Sequence, residues 1–408
     1  MTRLGRLLGV ALATAALDRA HDWHEGPPLT APRYFHAAAA TAEGQVIVFG
    51  GWTQSPKGFR DAALHANALE VLDPNGTWRQ GPPPPKYQHR SVLHFYTTVL
   101  SGSKQPGVIF DRTQVPTSEE RISEESSVHE GIFGGSDGGT RAYWFEHIGP
   151  IYFDAARGVW DQPEGPVLHQ LAKFWTKRVD REDSIPAWQR ERGSTATGPD
   201  GRFYLSGGKG GRFERGGGDV LDALEMYDPH TDSWKSGAPM AHARWAHASA
   251  FGPDGKLYVF GGCACRGGGI EQSNDPEIRL QSAKEAILQR FALPATEVYD
   301  PGTNRWQERA PMPHPRQDLT AATGKDGLIY VIGGTPHCAG VSVDTVDVYN
   351  PATDRWSEGP PLPRPFGCHA SAVTPDGRIW VTGGFSPRGD HPGPQSSVEY
   401  LDTAPDSK

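Results

Sequence analysis

No stretch of this sequence stays apolar for the ~20 residues that span a bilayer, so no membrane-crossing helix is expected. Basic residues never gather into a block: 40 Lys and Arg are scattered among 48 Asp and Glu, for a formal charge of −8. Nucleic-acid binding, which needs clustered positive charge, is therefore not expected. Cysteine is scarce, with four in 408 residues and no Cys-x-x-Cys spacing. A paired zinc site lacks its usual ligand pattern, and neither metal nor cofactor is expected. Turn residues and aromatics, by contrast, are plentiful: 50 Gly, 36 Pro, 12 Trp, 12 Tyr and 16 Phe. That mixture excludes a disordered, aromatic-poor chain and describes many turns around a packed core.

The first residues, MTRLGRLLGVALATAAL, set Arg3 and Arg6 ahead of an apolar run from Leu7 to Leu17. Ala13-Thr14-Ala15 then offers a small-x-small cleavage pattern, so residues 1–20 read as a signal peptide. The remainder, 21–408, reads as one soluble, monomeric domain, secreted or periplasmic.

A double glycine after an apolar β-rich run recurs along the chain: VIVFGG ending at Gly51, GIFGG at Gly135, FYLSGG at Gly208, LYVFGG at Gly262, IYVIGG at Gly334 and IWVTGG at Gly384. Each is followed by a strand running into an acidic turn: LEVLDP (69–74), PIYFDA (150–155), LEMYDP (224–229), TEVYDP (296–301), VDVYNP (346–351) and VEYLD (398–402). Five of these lead to a tryptophan, at Trp78, Trp160, Trp234, Trp306 and Trp356. The sixth is missing after Asp402 and is supplied at the other end, where Trp23-His24-Glu25-Gly26-Pro27-Pro28-Leu29 repeats the Trp-x-x-Gly-Pro-Pro-Leu of Trp356–Leu362. An N-terminal outer strand added to the last blade would remove the exposed sheet edges of an open ring.

The repeat resembles the kelch unit: Arg-x-x-His-small-small, Asp-Gly, an apolar strand with Gly-Gly, Glu-Val-Tyr-Asp-Pro, then Trp. Arg244-Trp245-Ala246-His247, Asp254-Gly255, Gly261-Gly262, Glu297-Val298-Tyr299-Asp300-Pro301 and Trp306 carry it most fully, over a match that runs from about 22 to 402. The resemblance implies an all-β fold, a six-bladed kelch β-propeller, with blades near 31–80, 86–162, 188–236, 242–308, 314–358 and 364–402 plus 21–26. Between His89 and Gly134 the pattern breaks into RSVLHFYTTVL, GVIF and an acidic stretch, where an extra hairpin or loop is expected.

With strands labelled a to d outwards from the axis, the a–b and c–d turns are short, while insertions at 52–66, 163–189, 209–219, 263–294, 335–344 and 385–396 gather on the opposite face. Long loops at one end of a rigid scaffold are the usual place for binding. Residues 276–291 have the spacing of a short amphipathic helix, and 168–191 mix Phe174, Trp175 and Trp188 with charges. At the expected channel mouth, His36, His247 and His369 stand first in strand a, with Arg33, Arg190, Arg244 and Arg316 three residues ahead of that position in their blades. Such a ring would suit a carboxylate or other anionic ligand, or it could satisfy loop carbonyls within the repeat. Cys263, Cys265, Cys338 and Cys368 all fall on this face; export would favour disulfides, one of Cys263 or Cys265 with Cys338 and the other with Cys368.

Two functions fit. One is an exported module that binds a glycan or a protein partner through the long-loop face. The other, implied by similarity to bacterial kelch-type N-acetylneuraminate epimerases, is a mutarotase acting on an acidic sugar, with Glu214 and Arg215 as its candidate catalytic pair. Whether the protein is an enzyme is left open. A copper radical centre like that of galactose oxidase, whose central domain is distantly similar, is not expected because that fold has seven blades. Nor is the adaptor role of many intracellular kelch proteins, since no accessory domain precedes the repeats.

Overall fold

The structure, a computed structural model, describes residues 22–51, 53, 69–82, 132–136, 141–146, 149–161, 192–210, 219–231, 233–264, 292–336, 341–386 and 393–403. Among them the chain is an all-β propeller built from four-stranded antiparallel sheets. In chain order these are sheet one (Ala37–Ala40, Val46–Phe49, Leu69–Leu72, Trp78–Gln80), sheet two (Ile132–Ser136, Arg141–Glu146, Gly149–Asp154, Val159–Asp161) and sheet three (Ser194–Thr197, Phe203–Ser206, Leu224–Asp228, Ser233–Ser236). Sheet four follows (Ala248–Phe251, Leu257–Phe260, Thr296–Asp300, Arg305–Arg309), then sheet five (Thr320–Thr323, Ile329–Ile332, Val346–Asn350, Arg355–Glu358). The last sheet holds Ala370–Val373, Arg378–Thr382, Val398–Asp402 and, as its outer strand, Trp23–Glu25, with Trp23 opposite Leu401 and Glu25 opposite Glu399. Five of the sheets are described with their side chains; sheet two is described through its backbone, apart from residues 153–160.

Residue type follows radius. Strands a neighbour one another around the axis, where bulky groups would collide, and they read AAAA, STAT, ASAF, TAAT and ASAV. Strands b are covered on both faces by adjoining sheets, so VIVF, FYLS, LYVF and IYVI are buried throughout instead of alternating. Between sheets lie aromatic layers, such as Phe260 against Tyr349 at 5.9 Å and Trp356 at 5.6 Å. Five of the outer-strand tryptophans also bond to a carbonyl just past the outer strand of the preceding sheet. Trp78 Nε1 donates to Pro27 O (2.7 Å), Trp160 to Pro82 O (2.8 Å), Trp306 to Ala238 O (2.7 Å) and Trp356 to Ala310 O (2.9 Å). Trp23 makes the same bond to Pro360 O, at 2.9 Å.

Sheet two departs from the expected motif placement. In the other sheets the double glycine follows strand b, but in sheet two Ile132–Ser136, which carries it, is strand a, contacting the strands a on both sides, and Arg141–Glu146 is strand b. The register shift between Phe133 and Ser136 gives the reason: here the glycine pair forms an irregularity within the inner strand, a use of Gly-Gly indistinguishable by sequence from the turn found elsewhere. The expected helix at 276–291, the aromatic loop at 168–191, the 89–131 stretch and residues 1–20 lie outside the described residues. Among the described residues no helix is long and apolar enough to cross a membrane.

Candidate functional site

The antiparallel meander starts every strand a at the same end of the disc, so the residues that begin these strands converge. They line a cavity of about 230 Å³ bounded by residues 35–38, 192–195, 246–249, 318–321 and 368–371. The described a–b and c–d turns lie at the other end, as the short-turn pattern implies.

Of the residues expected to bind ligand there, the three arginines do not reach the cavity. Arg33, Arg244 and Arg316 are almost wholly buried, and each guanidinium is turned into its own sheet against the strand-c acid: Glu70, Glu297 or Asp347. Arg244 also donates to the carbonyls of Gly261 (3.1 Å), Ala295 (2.9 Å) and His242 (3.3 Å). Arg316 likewise holds Gly333 O, His314 O and Val331 O at 2.7, 2.7 and 2.9 Å. Burial pulls each guanidinium pKa down while the adjacent carboxylate opposes it, so the charge is sustained by its partner. These arginines satisfy loop carbonyls and a buried acid, the second of the two roles that the sequence left open. Arg190, Glu214 and Arg215 lie outside the described residues.

The histidines do line the cavity, yet as wall. His36 Nε2 lies 2.9 Å from Thr382 Oγ1, His247 Nε2 lies 2.8 Å from Ser206 Oγ, and His369 Nε2 lies 3.0 Å from Thr320 Oγ1, in each case in the preceding sheet. Desolvation, followed by the charge of Arg33, Arg244 or Arg316, holds His36 and His247 well below the usual imidazole range and His369 down to about 3. They are neutral bridges between sheets. The Gly-Gly pair exists to seat them: a Cβ on Gly207 (φ +54°) would come 2.6 Å from His247 Cε1, and one on Gly262 (φ +86°) would come 2.7 Å from His247 Cβ.

What faces the mouth is a set of residues of which the sequence singled out only Cys368, and that for a disulfide. The position two residues before strand a has positive φ in all five sheets described with their side chains: Phe35 (53°), Arg192 (55°), Ala246 (53°), Asp318 (56°) and Cys368 (57°). Non-glycine residues in this region cost about 1–2 kcal/mol each, and such strain persists only where surroundings hold it. A chain of main-chain bonds does so, passing from sheet to sheet: Ala246 N to Arg192 O (2.7 Å), Asp318 N to Ala246 O (2.9 Å), Cys368 N to Asp318 O (3.0 Å) and Phe35 N to Cys368 O (2.8 Å). The result is one side chain per sheet presented at the mouth.

These side chains form a polar and aromatic rim. The Arg192 guanidinium lies 4.4 Å from the Trp245 ring centroid and 4.9 Å from that of Phe35, and it is ion-paired with Asp318 across the mouth. Lys209 Nζ sits 3.8 Å from the Trp245 centroid, and Tyr34 packs on Phe35 and on Phe385, both at 5.2 Å. Cys263 is disulfide-bonded, whereas Cys368 is a thiol, which corrects the expected bridge to Cys368. Its positive-φ position at the mouth gives it the rim role instead. Cys265 and Cys338 lie outside the described residues. Among the described residues no group of three or more His, Cys, Asp or Glu could hold a metal ion.

Comparison with known proteins agrees with the geometry. The family described as Kelch motif matches at residues 192–241 and 319–363, which fall in sheets three and five. The chain is 30% identical over 194 residues to Kelch-like protein 34 of Homo sapiens, covering 38% of this chain and 29% of the relative. It is 27% identical over 220 residues to Kelch-like protein 23 of Homo sapiens, covering 54% and 29%. To Beta-scruin of Limulus polyphemus it is 30% identical over 162 residues, covering 40% and 14%. The matches thus span less than a third of the length of these curated relatives.

Proposed function

Since the chain is a kelch-repeat β-propeller, we propose that it is a binding protein whose partner is another protein, held at the mouth by Phe35, Arg192, Ala246, Asp318 and Cys368 with Trp245 and Lys209 beside them. The observation that carries this reading is the row of five strained residues, each stabilised by its neighbour and each delivering a side chain to one cavity. A mouth that mixes aromatic faces, a cation and a carboxylate suits the varied side chains of a protein surface. The same reading takes the disc as six blades with Trp23–Glu25 completing the last. Export is part of it as well, supported by the charged and apolar leader sequence and the disulfide at Cys263.

The mutarotase alternative draws no support from the described mouth. Its candidate pair, Glu214 and Arg215, lies outside the described residues; the wall histidines are held neutral with Nε2 committed between sheets, and the Asp318 carboxylate is ion-paired with Arg192. The test is a photo-cross-linking residue, p-benzoylphenylalanine, placed at Phe35 in the mouth and at exposed Thr303 on the far face. A discrete protein adduct from position 35, absent from 303 and lost on Arg192→Ala, is expected; adducts that ignore Arg192, or that form only from 303, would overturn the proposal.

A further inference from the structure

The last sheet breaks the buried arginine and acid pattern in one respect. Aligned on the histidine, the slot filled by Arg33, Arg244 and Arg316 holds Phe366, fully buried, while the strand-c acid is retained as Glu399, also buried. The cation has moved two residues earlier, to Arg364, where sheets four and five carry the half-exposed His242 and His314. Arg364 Nε reaches Glu399 Oε1 at only 3.7 Å, and that oxygen has no hydrogen-bond partner. In register with Glu399 on the outer strand stands Glu25, so two carboxylates oppose each other across the pair. Like charges directly opposite destabilise a ladder.

From this geometry we propose that the pairing of Trp23–Glu25 with Val398–Asp402 is an acid-tightened seam, which holds firmly when Glu399 carries a proton and loosens when it ionises. The groups acting on Glu399 are Arg364, from the segment ahead of strand a, and Glu25, from the outer strand; Val381, opposite it on strand b, is apolar. His24 and Arg378 lie against Tyr400, one residue along and hence on the other face. Burial, opposed by Arg364 and reinforced by Glu25, raises the Glu399 carboxyl to about 7. The closed seam therefore binds a proton more tightly than an opened one, whose carboxyl returns towards its ordinary 4.5. Stability of the pairing is full below that value and is lost as pH rises through 7.

Hydrogen exchange measured by mass spectrometry on the full chain tests this, comparing peptides over 22–28 and 398–402 with a reference over Ile329–Ile332, each corrected for the intrinsic pH dependence of exchange. Protection of the seam should fall by about fivefold or more between pH 5 and pH 8 while the reference holds. Glu399→Gln should keep the seam protected at pH 8, and the exposed Glu25→Gln, which leaves folding intact, should shrink the loss. An unchanging wild-type seam, or a loss that persists in Glu399→Gln and disappears in His24→Gln, would overturn the proposal.

Discussion

Replacing Arg244 by leucine separates a structural guanidinium from a ligand-binding one. Leucine fills part of the space but leaves the Glu297 carboxylate, itself wholly buried, with only the N–H groups of Ala241 and His242 and the His242 ring beside it. The carbonyls of Gly261 and Ala295 lose their donor as well. Removing one member of a buried ion pair costs about 3–5 kcal/mol, against a total stability on the order of 5–15 kcal/mol. Urea unfolding followed by tryptophan fluorescence at pH 7.5 should show that loss. In the double variant Arg244→Leu with Glu297→Leu, most of the loss should return, because an apolar pair replaces the buried charges together. A single-variant cost under about 1 kcal/mol, or a double variant as damaged as the sum of its parts, would refute the role assigned to this residue. Phe366 shows that the fold accepts an apolar residue in this slot, in the sheet whose strand-c acid, Glu399, is displaced upwards in pKa by its burial.

Three further outcomes are expected. His369, whose pKa falls from 6.5 to about 3 on folding, should cost about 2 kcal/mol of stability at pH 5, since the unfolded chain takes up the proton first; His369→Gln should reduce the loss between pH 7.5 and 5 by about that amount, with His36 and His247 accounting for the remainder. Ala246→Gly should be neutral or stabilising by up to about 1 kcal/mol in chemical denaturation, because glycine relieves the positive φ that alanine bears. Trp306→Phe keeps the ring but removes the bond to Ala238 O, and should lower the unfolding midpoint by an amount equivalent to about 1 kcal/mol.

The architecture was legible because its determinants are local and repeated. A turn that needs glycine, a crowded axis that needs alanine or serine and an outer strand that needs tryptophan leave the same letters in each unit. Even the pairing of Trp23 with the last sheet could be read from Trp-x-x-Gly-Pro-Pro-Leu. Sheet two escaped because its Gly-Gly serves an inner-strand irregularity instead of a turn. The two roles left open for Arg and His could not be separated in the sequence for a related reason: arginine recurs because its own sheet needs it against a buried acid, and histidine because it bridges to the neighbouring sheet, so repetition marks scaffold. Phe35, Arg192, Ala246, Asp318 and Cys368 share a backbone conformation but no chemistry, and of them only Asp has any notable liking for positive φ. Their one sequence signal was position, two residues ahead of strand a.

Two arginines divide the labour, Arg192 at the rim for binding and Arg244 within the sheet for stability. Measuring both the unfolding midpoint and the yield of the protein adduct from position 35, for Arg192→Ala and for Arg244→Leu, tests it directly. The rim variant should keep its midpoint and lose the adduct, while the sheet variant should lose stability and, at a temperature where it remains folded, retain the adduct. The reverse pattern, with binding lost through Arg244 and stability lost through Arg192, would contradict the account.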